Sequence, residues 1–153
     1  MRWNKTVEQR FWEKVGLHDD PTKCWLWLAY SVKSDKLRYG RFWDGVGLVM
    51  AHRFSYEMYH HVTIPQGMTI DHVKARGCTS TLCVNPHHLE VVTSRVNTLR
   101  GDTIQANNAK KTYCVHGHLF NEKNTYAHNG IRQCRVCDRE QYFAKKQKEV
   151  VHA

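Results

Sequence analysis

The chain has 153 residues, with 23 Lys and Arg residues against 14 Asp and Glu residues, a formal net charge of +9. This length allows one compact domain with a smaller appendage, and no apolar run is long enough to span a membrane. Such a basic excess favours nucleic acid as the partner, with an anionic membrane surface as the competitor.

The N-terminal segment is charged throughout and predicts an amphipathic helix. It lacks the apolar core of a signal peptide, so we expect a soluble, cytoplasmic protein. Apolar residues recur at helical spacing between residues 3 and 15. Thr6 and Gln9 can form a capping box at the start of this helix, which we expect to pack on the sheet that follows.

An antiparallel meander is predicted next, followed by a second helix. Aromatic residues alternate along its first strand, and Asp44-Gly45 is a turn signal before its last strand. Arg38 and Arg41 lie among aromatic residues of the middle strand, where they can face a DNA groove or an ordinary solvated surface equally well. The expected strands are 24–30, 37–43 and 46–50, with a polar turn at 31–36 and the helix at 51–61.

The strongest chemical signal lies in two β-type runs, 68–72 and 89–93, that flank a loop with two cysteines. A helical segment with Asn97 follows. The first run ends in Asp71 and His72, where a carboxylate and an imidazole can both be used because the strand turns there. Histidine can take a proton from water and a divalent cation can neutralise a phosphate, so this end suits phosphodiester hydrolysis.

This segment resembles the HNH endonuclease motif, or ββα-metal finger, in the order and spacing of Asp71, His72, His88 and Asn97. The resemblance implies that His72 is the general base and that Asp71 and Asn97 hold a catalytic Mg²⁺ or Mn²⁺ ion. It also implies that His88 orients His72, with Asn85 as the alternative. The implied activity is DNA cleavage, one strand per site, leaving a 5′-phosphate and a 3′-hydroxyl.

Further motifs of the phage and mobile-element HNH proteins extend the resemblance over residues 24–101. They are Cys-Trp-x-Trp from Cys24, Tyr-Gly-Arg-Phe from Tyr39 and Ala-His-Arg from Ala51. The resemblance implies a phage-encoded protein that acts on double-stranded DNA as a monomer or homodimer. One competing hypothesis is a zinc-dependent DNA-binding protein that keeps the scaffold without catalysis. Charge alone also allows an RNA-binding or RNA-cutting protein.

Six cysteines and eleven histidines indicate metal sites, because closely spaced cysteines in a reducing compartment bind metal more often than they form disulfides. The loop between the β-type runs carries Cys78 and Cys83 and has little apolar content to hold it. We expect a structural zinc ion there, with Cys24 and His52 as the other ligands because both fall in shared motifs. His87 is the alternative to His52.

A second structural zinc site, of the Cys3His type, is predicted near the C-terminus. Two short Cys/His spacings flank a polar stretch that contains an Asn-Gly turn signal. This segment has too few apolar residues to fold on its own core, which favours zinc as the element that holds it. His116 is the alternative to His118. The expected ligands are Cys114, His118, Cys134 and Cys137.

The expected fold class is therefore α+β: an antiparallel meander with helices, a ββα-metal core and a C-terminal zinc-binding module. We expect the nuclease domain at 1–101, a polar linker at 102–111 and a zinc-ribbon-like, DNA-binding module with a basic helix at 112–153. Basic side chains near these motifs are expected to contact DNA phosphates without sequence preference. They are Arg38, Arg41, Arg53, Arg95, Arg100, Lys110 and Lys111.

Overall fold

The computed structural model describes residues 5–16, 19–34 and 37–151. Helices are combined with small antiparallel sheets, so the predicted α+β class is confirmed. The chain divides into two compact units, an N-terminal unit of residues 1–98 and a C-terminal unit of residues 99–153. None of the helices described has the length and apolar character needed to cross a bilayer.

The N-terminal unit contains one antiparallel sheet of three strands, a second of two strands, together with α-helices. Two short 3₁₀ turns, Lys74–Arg76 and Pro86–His88, lie in the loop that connects the strands of the smaller sheet. The elements are α1 (Val7–Trp12), β1 (Ser31–Ser34), β2 (Leu37–Trp43), β3 (Leu48–Met50), α2 (Ala51–His60), β4 (Met68–His72), β5 (Leu89–Thr93) and α3 (Ser94–Arg100).

Helix α1 begins with the predicted capping box. The Thr6 hydroxyl accepts from the Gln9 backbone N–H at 3.1 Å, and the Gln9 side chain accepts from the Thr6 N–H at 3.0 Å. The helix ends at Trp12, earlier than predicted, and residues 3 and 4 lie outside the described residues. Its apolar face carries Phe11, which is fully buried.

Aromatic rings from separate elements form the main core. The Phe11 ring centroid lies 5.2 Å from that of Trp27 and 5.1 Å from that of Phe42. The Phe42 ring in turn lies 4.8 Å from Phe54 of α2. Each side chain of this size stabilises the fold by about 1.5–3 kcal/mol when fully buried. The core therefore joins α1, the meander and α2 into one body.

The prediction of a strand at 24–30 is wrong, and residues 31–34 of the predicted polar turn at 31–36 form a strand; residues 35 and 36 lie outside the described residues. Between residues 24 and 30 the chain forms isolated bridges, at Leu26 and Trp27, rather than a ladder. The aromatic alternation arises because Trp27 turns into the core, where it is 2% exposed. Strand β1 instead begins at Ser31 and pairs with β2 through backbone hydrogen bonds that polar side chains do not reveal.

Gly40 lies where β2 passes Trp27. A Cβ at this position would be 2.5 Å from Trp27 Cδ1 and 3.0 Å from Ala51 Cβ. We expect Gly40→Ala to lower the free energy of unfolding by about 1–3 kcal/mol, because a rigid indole must move. Denaturant unfolding measures this loss. Gly47→Ala is the control, since a Cβ there meets nothing within 4 Å; equal losses in both variants would contradict the steric explanation.

Strands β4 and β5 have the bounds that the sequence predicted. Their antiparallel register runs from Met68 opposite Thr93 to His72 opposite Leu89. Leu89, with Ile64 and Ile70, forms a second apolar cluster. Helix α3 follows β5 directly. The chain therefore has a strand–loop–strand–helix order in which the last residue of β4 meets the first residue of β5.

The C-terminal unit is organised around a short hairpin and a long helix. The stretch 102–111, predicted as a linker, contains a helix whose cap is Thr103; its hydroxyl accepts from the Ala106 N–H at 3.0 Å. Asn129 and Gly130 have positive φ in the hairpin turn, where the Asn-Gly signal predicted it. The elements are α4 (Ile104–Lys110), β6 (Thr125–His128), β7 (Ile131–Cys134) and α5 (Arg135–Val151).

Candidate metal centres and active site

Four side chains from two segments of the N-terminal unit converge on one point. Their ligand atoms all lie within 4.8 Å of one another, and three of the four residues are buried. Three cysteines and one histidine form a donor set that suits tetrahedral structural zinc. The residues are Cys24, Cys78, Cys83 and His88. The three cysteines are those that the sequence predicted, but the histidine is a different one.

Backbone pairing brings Cys24 to the loop that carries the other ligands. Leu26 forms an antiparallel bridge with Cys83, and the Val84 N–H donates to the Trp25 carbonyl at 2.8 Å. The Cys-Trp-x-Trp motif therefore has a physical explanation. Its tryptophans are buried in the core, and the paired backbone beside them places the cysteine at the edge of that core.

The sulfurs of this first cluster are prepared to bind a cation. The Thr79 N–H donates to Cys24 Sγ and the Asn85 N–H to Cys83 Sγ, both at 3.4 Å. These hydrogen bonds fix the positions of the two sulfurs. His88 Nδ1 lies 3.8 Å from Cys24 Sγ and 3.7 Å from Cys83 Sγ. Nδ1 is therefore the nitrogen of His88 that faces the sulfurs.

The two buried thiols in this loop differ in their tendency to ionise. A hydrogen bond with Cys83 lowers the pKa of Cys78 to about 4, against the effect of burial, and His72 adds to the lowering. The same hydrogen bond, together with burial, raises the pKa of Cys83. A divalent cation removes this difference because it stabilises both thiolates. The donor chemistry thus fits a zinc ion.

His52 is not brought to this cluster, which corrects the predicted ligand set. It lies at the start of α2, is 7% exposed, and has its ring 5.2 Å from the ring of His72 and 5.8 Å from that of Tyr39. Burial, followed by the neighbouring His72 and Arg53, lowers the pKa of His52 to about 3. His52 is therefore a neutral imidazole beside the candidate base.

The two ring nitrogens of His72 have different surroundings. Its Nδ1 lies 3.5 Å from Cys78 Sγ. Its Nε2 is buried and has no hydrogen-bond partner among the described residues. A neutral imidazole held at one nitrogen, with the lone pair of the other available, is the arrangement that a general base requires.

The two residues considered for orienting His72 have other partners. His88 lies among the sulfurs, and its ring nitrogen Nδ1 faces Cys24 and Cys83 rather than His72. The Asn85 side chain donates to two backbone carbonyls just before Cys24, at 2.8 and 2.7 Å, and accepts from the His87 N–H at 3.0 Å. Asn85 therefore fixes the loop that supplies the cysteines. Neither side chain forms a hydrogen bond with His72 in this geometry.

The residues predicted to hold the catalytic ion lie on successive elements. Asp71 is buried in β4 and stands opposite Glu90 across the ladder, whose carboxylate pairs with Arg76 at 3.2 Å. Asp71 and His72 are the last two residues of β4. Asn97 is half-buried on α3. Carboxylate and amide oxygens are donors that fit Mg²⁺ or Mn²⁺.

The C-terminal unit brings together all four ligands that the spacing predicted. Cys114 Sγ lies 3.5 Å from Cys137 Sγ, and His118 Nδ1 lies 3.3 Å from the same sulfur. Cys134 completes the group, whose ligand atoms lie within 4.8 Å of one another. His116, the alternative, is exposed and is not among the four. The cluster is of the Cys3His type and fits structural zinc.

Ionisation in this second cluster is also uneven. Burial opposes ionisation of Cys134, but the backbone of Cys137 and the side chain of Asn124 outweigh it and lower the pKa of Cys134 to about 6. Burial and the sulfurs of Cys114 and Cys134 raise the pKa of Cys137 to about 12. As in the first cluster, a divalent cation stabilises the thiolate that the isolated site resists forming.

Asn124 supports the second cluster and was not identified from the sequence. Its Nδ2 donates to Cys134 Sγ at 3.3 Å, and its Oδ1 accepts from the Val136 N–H at 3.0 Å. We expect Asn124→Ala to weaken zinc binding by roughly 10–100-fold, as the loss of an outer-shell partner typically does. Competition with a zinc chelator measures this loss. Asn107→Ala, at an exposed position of α4, is the control; a similar loss there would contradict the specific role of Asn124.

The basic residues predicted to contact DNA divide by environment. Arg41 and Arg53 are half-buried, and their guanidinium groups donate to the carbonyls of Leu48 at 3.3 Å and Met68 at 3.2 Å. These two side chains brace the backbone of the N-terminal unit. The others are exposed, as a phosphate contact requires. They are Arg38, Arg95, Arg100, Lys110 and Lys111.

Comparisons of the chain with protein-family models, with curated proteins and with solved structures found no match. The resemblance to the HNH family accordingly rests on the motif residues alone. Any assignment of function depends on the geometry of His72 and the two Cys/His clusters.

Proposed function

We propose that this protein is a metal-dependent, HNH-type DNA endonuclease. The observation that carries the proposal is the state of His72, whose Nδ1 is engaged by a sulfur while its buried Nε2 has no partner among the described residues. His72 lies at the end of β4 in a strand–loop–strand–helix order that also carries Asp71 and Asn97. These residues are of the types, and in the order, that phosphodiester hydrolysis uses.

In the proposed mechanism, Nε2 of His72 removes a proton from a water molecule. The water oxygen attacks the phosphorus, and the bond from phosphorus to the 3′ oxygen breaks. The 3′ oxygen takes a proton from solvent, which leaves a 5′-phosphate and a 3′-hydroxyl. Asp71 and Asn97 would hold a Mg²⁺ or Mn²⁺ ion. When bound, that ion supplies positive charge to the phosphate and to the leaving oxygen. His52 is neutral and therefore adds no positive charge beside His72.

The two Cys/His clusters have a structural role in this proposal. Each provides four protein ligands, which would occupy all four coordination positions of a tetrahedral zinc ion and leave none for water or substrate. The catalytic ion is therefore a separate one, held by oxygen donors. One catalytic site per chain favours nicking of a single strand; a double-strand break needs a homodimer or two successive events.

The charge of the protein supports nucleic acid as the substrate. The net charge is +9, and the exposed basic residues Arg38 and Arg95 belong to the same unit as His72. Positive charge on a surface provides salt-sensitive affinity for a phosphate backbone without selecting a sequence. It does not distinguish duplex DNA from RNA, so the substrate must be tested directly.

The decisive experiment incubates the purified protein with supercoiled plasmid in Mg²⁺, Mn²⁺ or EDTA. We expect nicked circles with either metal and intact plasmid with EDTA. Zinc content is measured after the EDTA treatment, so that loss of structural zinc is not mistaken for loss of the catalytic ion. Binding to DNA without cleavage in any divalent ion would instead favour the zinc-dependent DNA-binding alternative. Duplex RNA in a parallel reaction tests the RNA hypothesis.

A further inference from the structure

We infer that Cys78 has two roles: it is a ligand of the first zinc site and it is also the residue that positions His72. The general base would then be oriented by a zinc-bound sulfur rather than by an amide or a second imidazole. This inference rests on the proposed function, because it assigns the orienting partner of the proposed base. It concerns a positioning residue, since Cys78 acts only through His72.

The geometry places the Cys78 sulfur between the two sites. Cys78 is 4% exposed, and its Sγ is among the four ligand atoms of the first cluster. The same sulfur lies 3.5 Å from His72 Nδ1. It is the only hydrogen-bond partner of the His72 side chain within the described residues, because Asn85 and His88 are engaged elsewhere.

Deprotonation of the sulfur fixes the direction of this hydrogen bond. A protonated thiol and a neutral imidazole can each donate to the other, so two tautomers of His72 would be allowed. A zinc-bound sulfur carries no proton and can only accept. Nδ1 of His72 must then carry the hydrogen, which leaves the lone pair on Nε2 to accept a proton from water. Loading of the zinc site would thereby select the catalytic tautomer.

His52 completes the arrangement from the other side. Its ring centroid lies 5.2 Å from that of His72, and its buried Nδ1 has no partner in the described part of the chain. The His72 ring is therefore bounded by the Cys78 sulfur at Nδ1 and by a neutral ring beside it. These contacts restrict rotation of the imidazole without adding charge.

The first test observes the tautomer directly and does not require cleavage. In zinc-loaded protein with ¹⁵N-labelled histidine, two-bond ¹H–¹⁵N correlations identify which nitrogen is protonated, and His72→Gln assigns the signal. We expect a single tautomer protonated at Nδ1. A signal protonated at Nε2, or averaged between tautomers, would overturn the inference. If wild-type protein does not cut DNA, the proposed function fails while this measurement still decides the role of Cys78.

The second test compares two histidine replacements in the same zinc site. Cys78→His and Cys24→His each leave two cysteines and two histidines for zinc, but only Cys78→His removes the sulfur beside His72. Where both variants retain two zinc ions, we expect Cys78→His to slow nicking by about 10–100-fold more than Cys24→His, with DNA affinity unaffected. Equal slowing would contradict the inference. If either variant loses zinc, the tautomer of the wild-type protein is decisive.

Discussion

Replacing His72 with alanine is expected to abolish metal-dependent nicking of plasmid DNA while leaving DNA binding intact. Removal of a positioned general base slows a reaction by roughly 10²–10⁴-fold, and the neighbouring imidazole, His52, is buried on α2 rather than placed at the end of β4. Single-turnover nicking in Mg²⁺ measures the rate, and a gel-shift titration measures affinity. Zinc content must remain that of the wild type, because His72 contacts the ligand Cys78.

His87→Ala is the matched control for this prediction. His87 lies in the same loop but is exposed, and its Nε2 lies 3.2 Å from the Tyr59 hydroxyl rather than near the sulfurs. We expect it to nick at the wild-type rate. A His72→Ala protein that cuts normally, or a His87→Ala protein that does not cut, would remove the basis for treating His72 as the base.

Replacing His88 with alanine is expected to remove one of the two zinc ions. His88 is 1% exposed and its Nδ1 faces the sulfurs of Cys24 and Cys83. Loss of an inner ligand should exceed the roughly 10–100-fold weakening seen for outer-shell changes. Because zinc binding contributes on the order of 10 kcal/mol to folding of such sites, the N-terminal unit should also lose cooperative unfolding.

His52→Ala provides the contrast. Like His88, His52 is a buried histidine of the N-terminal unit. Its ring lies against His72 instead of the cysteines. Elemental analysis after dialysis should find two zinc ions in this variant and one in His88→Ala. The reverse result would restore the ligand set that the sequence predicted, with His52 as the fourth ligand.

Features with a local cause could be predicted from the sequence. The bounds of β4 and β5 follow from short apolar runs, the capping box at Thr6 follows from a three-residue spacing, and the Asn129-Gly130 turn follows from backbone preferences. The C-terminal ligands were predictable for the same reason, since Cys134 lies three residues before Cys137 and Cys114 lies four residues before His118.

Features that depend on tertiary contacts were not predictable. The aromatic alternation around Trp27 reflects packing against Phe11 rather than strand pairing. Strand β1 has polar side chains, and it is held by its backbone ladder with β2. In both places the side-chain pattern follows burial. It does not indicate which segment supplies the backbone hydrogen bonds.

The position of His88 shows how two signals can compete. Its offset from Asn97 matched the family position that orients the base, and this match determined the prediction. A second signal was present in the sequence: Cys78, Cys83 and His88 follow one another at intervals of five residues. That regular spacing indicates a shared metal, and the cluster geometry agrees with it.

The two clusters close chain loops of very different length. His88 and Cys24 are 64 residues apart, whereas Cys114 and Cys137 are 23 residues apart. Each doubling of a flexible loop adds about 0.6 kcal/mol of closure entropy, so the longer loop costs roughly 1 kcal/mol more. We therefore expect the two ions to be acquired in sequence during folding. The C-terminal ion can bind early to a short segment, whereas the N-terminal ion must wait until the aromatic core has brought Cys24 back to the loop.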